Sequence, residues 1–336
     1  MQTLQAKNDD RSRQLVILGT GGTIAGRADC VSDNVGYVSA QVGAGDLVAA
    51  IPALSRLPIE VEQVAQLDSC NMDFSTWQLL ARRVAFHLQR PEVDGIVITH
   101  GTDTLEETAY FLQAVLQPAK AVVLTCAMRP STALVPDGPQ NLVDAVAVAH
   151  FEGASGVTVV CDGQIHLARD VTKAHSYRLD AFDSGDAGAL GCVEEGQIRL
   201  FRDWERAAGN APFDAAALRW IEKPLPWPRV ELLFSHAGAD GALVRALLAQ
   251  GRENSAQALR GLVVAGTGNG SLHEALVQAL LEAQAQGVRV VRATRCARGR
   301  VISHARSAFP DSAGLTPVKA RIALMLDLLQ AKENPA

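Results

Sequence analysis

Two glycine-rich loops carry threonine hydroxyls that could attack a carbonyl carbon. The first, residues 19–26, presents Thr23 between small residues, and the second, residues 99–107, presents Thr102 beside Asp103. A hydroxyl is a poor nucleophile until a base takes its proton, and backbone N–H groups in such loops can face a developing oxyanion. The pattern is compatible with acyl transfer. A structural interpretation of the first loop, in which its glycines only make a tight turn and Thr23 caps an element, stays open.

The second loop also contains residues with structural explanations. Thr104-x-x-Glu107 fits a capping box, so we expect Thr104 to cap the following helix. His100 is expected to be a buried core residue rather than a catalytic one. Thr102 and Asp103 have no such explanation, and they lie where a strand passes into a helix, which is where open parallel sheets bind ligands.

Two further polar positions also follow predicted strands. Lys173 comes after a strand and a turn at 162–163. A lone lysine is usually solvated, and as a base near neutral pH it needs a pKa lowered by about three units, which requires burial or a cationic neighbour. Ser271 lies in a glycine-rich loop, and Ser271-x-x-Glu274 again fits a capping box, so a helix cap competes with a binding role.

Several common catalytic and nucleotide-binding motifs are missing from the sequence. Ile24 stands where a dinucleotide fingerprint requires its third glycine, and residues 27–42 have the pattern of a loop rather than a helix. There is no H-E-x-x-H, no paired Cys/His ligand spacing, no G-x-S-x-G and no G-x-x-x-x-G-K-[ST]. We therefore expect neither a metal nor a cofactor.

The elements that must position these loops alternate between strands and helices. Short apolar runs predict strands at 15–18, 59–65, 95–99, 121–126 and 156–161. Helical patterns cover 75–89, 105–116 and 139–151. This alternation predicts an α/β fold with a mainly parallel sheet flanked by helices on both faces.

Length and composition predict two domains. The chain has 336 residues, and a stretch rich in charge, Trp and Pro at 202–228 interrupts the alternation. We predict a disordered lead-in at 1–14, a larger catalytic domain at 15–201, a linker at 202–228 and a smaller α/β domain at 229–336. The smaller domain has strand patterns at 230–235, 262–265 and 288–293 and helical patterns at 242–250, 272–286 and 317–331.

Charge and cysteine content narrow the classes of partner. The net charge of −5 argues against nucleic acid or an anionic membrane surface. No stretch approaches the length of a bilayer span, and the polar N-terminal residues lack the apolar core of a secretory signal. Six scattered cysteines without a C-x-x-C pair indicate free thiols. We expect a cytoplasmic protein that acts on a small molecule.

The two loops together resemble the paired signature motifs of the bacterial-type L-asparaginases and glutaminase-asparaginases. The motifs are TGGTIAG at 20–26 and THGTDTLEETAY at 99–110. The likeness continues in order through AMRPS at 127–131, DGP at 137–139, RDVTK at 169–173 and GNG at 268–270. The resemblance implies an amidohydrolase that converts L-asparagine into L-aspartate and ammonia, with possible minor glutaminase activity.

The resemblance implies two sets of catalytic residues. Thr23 is implied to be the nucleophile that forms an acyl-enzyme and releases ammonia, assisted by Tyr37 on a mobile loop. Thr102, Asp103 and Lys173 are implied to form the second set, in which Lys173 helps to activate Thr102 or the hydrolytic water. The backbone amides of Thr23 and Thr102 would form the oxyanion hole.

The resemblance also implies how the substrate is held. Ser69 and Asp103 would bind its α-carboxylate and α-amino groups, and the carbonyl of Ala127 would accept from the leaving amide. Ser271 would reach the α-amino group from the smaller domain of a neighbouring subunit, in an intimate dimer that usually belongs to a homotetramer. The implied substrate-binding residues are Gly22, Ser69, Cys70, Thr102, Asp103, Ala127 and Ser271.

Two positions depart from the family pattern. Many members have Gln after Ser69, whereas this chain has Cys70, which leaves the relative activity on glutamine open. Residues 292–310 contain no Glu, although some relatives supply one there to the Thr and Tyr pair. We expect four arginines of this stretch, for which the stretch offers no matching acid, on a solvated or inter-subunit surface rather than at an anion site. These arginines are Arg292, Arg295, Arg298 and Arg300.

Three alternative functions belong to other classes. A non-catalytic amino-acid sensor needs binding groups without the nucleophile, so the joint presence of Thr23, Thr102, Asp103 and Lys173 argues against it. A glutamine-using amidotransferase subunit that supplies ammonia for tRNA-linked amino acids would carry an additional N-terminal domain, whereas the first motif here starts by residue 19. A nicotinamide-dependent oxidoreductase is disfavoured by Ile24 and by the missing helix pattern.

Overall fold

The two threonine loops lie at one edge of the larger of two α/β units. The computed structural model describes residues 14–204, 222–224, 226–305 and 307–331. Residues 1–13 of the lead-in predicted at 1–14 and most of the predicted linker, 205–221, lie outside the described residues. The exact domain boundaries therefore stay predictions.

The larger unit is built on an eight-stranded sheet. The unit has ten strands, eight of which form this sheet: β1 (Gln14–Gly21), β2 (Ile59–Leu67), β3 (Val93–Thr99), β4 (Ala121–Thr125), β5 (Gly156–Cys161), β6 (Gln164–Leu167), β7 (Thr172–Lys173), β8 (Phe182–Asp183), β9 (Gly191–Glu194) and β10 (Gln197–Leu200). The order is β10-β9-β6-β5-β4-β3-β1-β2, while β7 and β8 form a separate hairpin. Because β1 to β5 pair in parallel, the prediction of a mainly parallel sheet is confirmed.

Helices cover both faces of this sheet. They are α1 (Ala44–Ala49), α2 (Phe74–Leu88), α3 (Leu105–Leu116) and α4 (Gly138–Ala149). Side chains alternate across a strand, so Val16 and Leu18 of β1 enter the core under α2 and α3, whereas Leu15 and Ile17 enter the core under α4. Strands covered on both faces have continuous apolar sequences, which is why these strands could be predicted from the sequence.

The smaller unit has three parallel strands in the order β11-β12-β13. Its elements are β11 (Arg229–Phe234), α5 (Ala242–Glu253), β12 (Leu259–Gly266), α6 (Glu274–Ala285), β13 (Arg289–Thr294) and α7 (Pro317–Ala331). Helix α7 packs on this sheet and on α3 of the larger unit, and it shares the core of α2 and α3. The two units therefore have one continuous apolar interface.

The sequence did not identify the short antiparallel strands that extend the large sheet. Strands β6, β9 and β10 have four residues each and are partly exposed, so their apolar pattern is weak. The turn predicted at 162–163 is present, with positive φ at Asp162 and Gly163, and it reverses the chain between β5 and β6. Through this reversal the chain arrives at the hairpin that carries Lys173.

Replacing Phe111 with Ala should lower the free energy of unfolding by about 3–5 kcal/mol, because the lost ring leaves a cavity in the core. The Phe111 ring is fully buried and stacks on Trp77 with centroids 4.7 Å apart. Urea denaturation followed by tryptophan fluorescence measures the change. Phe86→Ala, which removes a ring of a residue that is 50% exposed, is the control and should cost under about 1 kcal/mol. Equal losses at the two positions would contradict this core assignment.

Candidate active site

The two threonine loops touch through their glycines. A Cβ placed on Gly22 would lie 2.2 Å from the Cα of Gly101, so neither loop leaves room for a side chain at this contact. Gly22 also has a φ of +80°, which favours glycine. The contact arises because β1 and β3 are adjacent in the sheet, and the hydroxyl of Thr20 donates to the carbonyl of Thr99 at 2.9 Å. Thr23 and Thr102 therefore follow residues that are in direct contact.

Thr23 is paired with the hydroxyl of Tyr37. It begins a short 3₁₀ turn after β1 and is 6% exposed, and its Oγ1 lies 2.6 Å from the Tyr37 hydroxyl oxygen. The loop that carries Tyr37 returns to the site through two backbone hydrogen bonds between Arg27 and Val38, both 2.9 Å long. The Tyr37 ring then packs on Gly26, where an added Cβ would lie 2.8 Å from it.

Thr102 is held by an ammonium group. The Lys173 Nζ donates to Thr102 Oγ1 at 2.8 Å and to Asp103 Oδ1 at 2.6 Å. The Lys173 side chain is 18% exposed, whereas that of Asp103 is 53% exposed. A positive charge at this distance stabilises negative charge that develops on the threonine oxygen. This arrangement places a cation, a hydroxyl and a carboxylate within one hydrogen-bonded group.

Ser69 connects a third loop to this group. Ser69 is only 1% exposed, and its hydroxyl accepts from the backbone N–H of Asp103 at 3.1 Å. Its carbonyl accepts from the hydroxyl of Thr104 at 2.8 Å. The predicted side-chain cap at Thr104 is therefore wrong: Thr104 stands at the N-cap of α3, but its hydroxyl holds the Ser69 loop instead of the helix. Cys70, next in the chain, is exposed.

Ala127 lies behind the first threonine loop. It is fully buried in a small apolar cluster with Ile24 and Ala25. The residues after it are held by Asp137, whose carboxylate accepts from the backbone N–H groups of Met128 and Arg129 at 2.8 and 3.0 Å. The loop that follows β4 is thereby held against the loop that follows β1.

His100 supports the second loop from inside the core. It is 0% exposed, and its two ring nitrogens lie 2.7 Å from the Gly101 carbonyl oxygen and 3.0 Å from Thr108 Oγ1. Thr108 Oγ1 in turn accepts from the indole N–H of Trp77. Burial lowers the pKa of His100 to about 4, so the ring is neutral near pH 7. The prediction that His100 is a buried core residue is confirmed.

Ser271 lies on the smaller unit, apart from these groups. It is exposed and ends a tight turn in which its backbone pairs with that of Thr267. Helix α6 is capped instead by His273, whose Nδ1 accepts from the N–H of Ala275, so the capping interpretation of Ser271 is wrong. Within the described residues, no hydrogen bond joins Ser271 to Thr23, Thr102 or Lys173.

Family comparisons match both units of the chain. The family described as "Asparaginase, N-terminal" matches residues 14–206, and "Glutaminase/Asparaginase C-terminal domain" matches residues 229–336. The chain belongs to the asparaginase family. Curated relatives named L-asparaginase or glutaminase-asparaginase are 36% identical to this asparaginase-family chain over nearly its whole length.

Individual relatives of this asparaginase-family protein differ in their described location. A glutaminase-asparaginase of Pseudomonas fluorescens biotype A is 36% identical and aligns over 99% of this chain and 91% of its own. A probable periplasmic L-asparaginase of Haemophilus influenzae is 36% identical over 95% and 89% of the two chains. The crystal structure of a probable cytoplasmic L-asparaginase from Campylobacter jejuni is 39% identical, covers 94% of each chain and superposes with a TM-score of 0.83.

One arginine of this asparaginase-family chain has a partner that the sequence did not reveal. Arg298 forms an ion pair with Asp183 of β8 at 2.6 Å, and the next N–H, that of Gly299, donates to Asp186 at 3.0 Å. The stretch 292–310 offers Arg298 no acid, and its partner comes instead from the larger unit of the same chain, while the Arg298 side chain stays 60% exposed. Arg292 and Arg295 bind serine oxygens of the smaller unit.

Among residues 14–204, 222–224, 226–305 and 307–331, no cluster of three or more His, Cys, Asp or Glu side chains is arranged to hold a metal ion. In the same part of the chain, no helix combines the length and apolar character that crossing a bilayer would need.

Replacing His100 with Gln should make unfolding less sensitive to acid. The native pKa of His100 is about 4, below the ordinary value of 6.5, so the unfolded chain binds more protons between these values and stability falls as the pH drops. Between pH 7 and pH 5 the wild type should lose about 2 kcal/mol more than the variant. Urea denaturation at the two pH values measures this difference. His236→Gln, at an exposed position, should keep the wild-type pH dependence; an unchanged slope in His100→Gln would refute the account.

Proposed function

We propose that this protein hydrolyses the side-chain amide of L-asparagine, giving L-aspartate and ammonia. The observation that carries the proposal is the contact of Gly22 with Gly101, which sets two threonine-bearing loops against each other. The Lys173 ammonium is hydrogen-bonded to Thr102 of the second loop. Membership of the asparaginase family and the names of the relatives support the same reaction. Two threonine hydroxyls, one paired with Tyr37 and the other with the Lys173 ammonium, suit two successive acyl-transfer steps.

In the first step, Thr23 Oγ1 attacks the amide carbon of the substrate. Tyr37 is hydrogen-bonded to that oxygen and orients it, and the proton of the threonine hydroxyl passes to the leaving nitrogen, which departs as ammonia. The product is an ester of Thr23 with the β-carboxyl group of aspartate. The backbone N–H groups of Thr23 and Thr102 stabilise the tetrahedral oxyanion, and one such donor is worth about 10² to 10³ in rate.

In the second step, water attacks the ester carbon. A proton of the water is relayed through the group of Thr102, Asp103 and Lys173 to Thr23 Oγ1 as the bond between that oxygen and the ester carbon breaks. This regenerates the Thr23 hydroxyl and releases aspartate. The Lys173 ammonium at 2.8 Å lowers the free-energy cost of negative charge on Thr102. The two hydroxyls thus have different roles in one cycle.

The amino-acid part of the substrate lies beside the Ser69 loop. Ser69 and Asp103 hold its α-carboxylate and α-amino groups, which suits the half-exposed carboxylate of Asp103. Gly22 and Cys70 line the same side. The carbonyl of Ala127 accepts from the amide nitrogen of the substrate. Cys70 is shorter than the Gln that many relatives have there, and activity on glutamine is minor.

A neighbouring subunit completes the site through Ser271. The turn that carries Ser271 is exposed, and its hydroxyl binds the α-amino group of a substrate held by another copy of the chain. The assembly is a homotetramer made of such dimers.

We also propose a cytoplasmic location for the protein, which is the location that the name of the Campylobacter jejuni relative states for that protein. Cell fractionation tests the location, and release with the periplasmic fraction would contradict it.

Thr23→Ala and Thr102→Ala should each lower turnover of asparagine by about 10³-fold or more, because each removes a hydroxyl that takes part in bond making. Ammonia release by the purified protein, without added metal or nucleotide, measures turnover. Thr158→Val is a matched control, since the Thr158 hydroxyl is buried within β5 and has no hydrogen-bond partner among the described residues. Binding of asparagine without ammonia release by the wild type would instead identify a sensor.

Mixing two inactive variants should restore turnover if the site is shared between subunits. Thr23→Ala lacks the nucleophile, and Ser271→Trp blocks the site of its neighbour. A mixed dimer contains one site with intact Thr23 and intact Ser271, so activity should rise to about half of the wild-type value per mixed dimer. The ammonia assay follows subunit exchange of the two variants. No recovery in verified mixed dimers would show that Ser271 does not complete the site of a partner.

A further inference from the structure

Lys319 is a fully buried lysine at the interface of the two units. It belongs to α7 of the smaller unit, yet its Nζ donates to the carbonyl of Arg169 at 2.9 Å and also to the carbonyl of Val171. Both carbonyls belong to the larger unit. Lysine is almost never fully buried, because removing the ammonium from water has a large free-energy cost. An apolar side chain of similar length would fill this space without that cost.

The two carbonyls belong to the segment that leads into Lys173. Val171 lies two residues before Lys173, and Arg169 lies two residues before Val171, so the Lys319 ammonium binds two alternate carbonyls of the segment 169–173. The segment enters the short hairpin of β7 and β8, which has only two residues in each strand. A hairpin this short provides little rigidity of its own.

Glu106 holds the same segment at its other end, residue 173. It lies in the first turn of α3, and its Oε1 accepts from the backbone N–H of Lys173 at 3.4 Å. Burial raises the pKa of Glu106, and the positive charge of Lys319 partly offsets this rise. Burial lowers the pKa of Lys319 to about 8, and the negative charges of Glu106 and Asp170 oppose this lowering. The segment is therefore bound both by a buried cation of the smaller unit and by a half-buried carboxylate of the larger unit.

We propose that Lys319 is a positioning residue, which holds segment 169–173 so that the Lys173 ammonium stays within hydrogen-bond distance of Thr102. The inference rests on the proposed function, in which Lys173 assists Thr102. It adds a role for the smaller unit within its own chain, because docking of α7 orders the catalytic lysine. Misplacement of a catalytic group by about 1 Å can reduce the rate by 10².

The kinetic test is Lys319→Met, which keeps the length of the side chain and removes the ammonium. kcat for ammonia release should fall by about tenfold or more, while KM changes by less than about threefold, because Ser69 is untouched and keeps its hydrogen bond to the backbone of Asp103, the other residue that holds the substrate. Lys319→Arg keeps a charge and N–H donors and should regain part of the loss. Lys120→Met is the matched control. Lys120 Nζ also donates to a backbone carbonyl, that of Arg90, but it directly precedes β4 and so lies at the amino ends of the parallel strands, away from the site.

A crystal structure of Lys319→Met tests the inference separately from turnover. The distance from Lys173 Nζ to Thr102 Oγ1, 2.8 Å in the wild type, should lengthen beyond about 3.5 Å. If Lys319→Met does not fold, Lys319→Gln, which keeps N–H donors without the charge, takes its place in both measurements. An unchanged distance together with unchanged kcat in a folded variant would overturn the inference. Absence of ammonia release by the wild type would instead overturn the proposed function, and the structure would still decide the role of Lys319.

Discussion

The active-site geometry depends on the close approach of two backbones at Gly22 and Gly101. Neither position has room for a Cβ, and the approach is possible because β1 and β3 are parallel neighbours that pair up to Gly19 and Thr99, just before the two loops. The hydroxyls of Thr23 and Thr102 come from loops more than 70 residues apart in the chain, and this contact sets their separation. Tyr37 then binds the Thr23 hydroxyl, and Lys173 binds the Thr102 hydroxyl, so the positions of both groups depend on this contact.

A buried hydrogen-bond network supports the contact from inside the core. The indole of Trp77, the hydroxyl of Thr108, the imidazole of His100 and the carbonyl of Gly101 form consecutive hydrogen bonds inside the core. In a medium of low dielectric constant such bonds are strong, and an unpaired member would be costly. The network therefore fixes the position of the Gly101 carbonyl, and with it the direction of the backbone that leads into Thr102.

The smaller unit also contributes to the order of the site within its own chain. Arg298 pairs with Asp183 of β8, and β8 pairs with the strand that carries Lys173. Lys319 binds the segment that precedes the same strand. Two cations from one unit thus hold both sides of a two-stranded hairpin in the other. This explains how a lysine on such a short element can remain aligned with Thr102.

The sequence alone determined the alternation of elements, the limits of α3 and α7, the parallel character of the sheet and the two threonine loops, because buried strands and amphipathic helices leave local patterns. Local patterns misled at Thr104 and Ser271, where a capping motif is present but the helix is not capped by that side chain. Only the tertiary structure decided that Tyr37 reaches Thr23, that Lys173 reaches Thr102 across 71 positions, and that Arg298 and Lys319 hold the hairpin. Those contacts follow from strand order and from the docking of α7, and neither is encoded in the spacing of neighbouring residues.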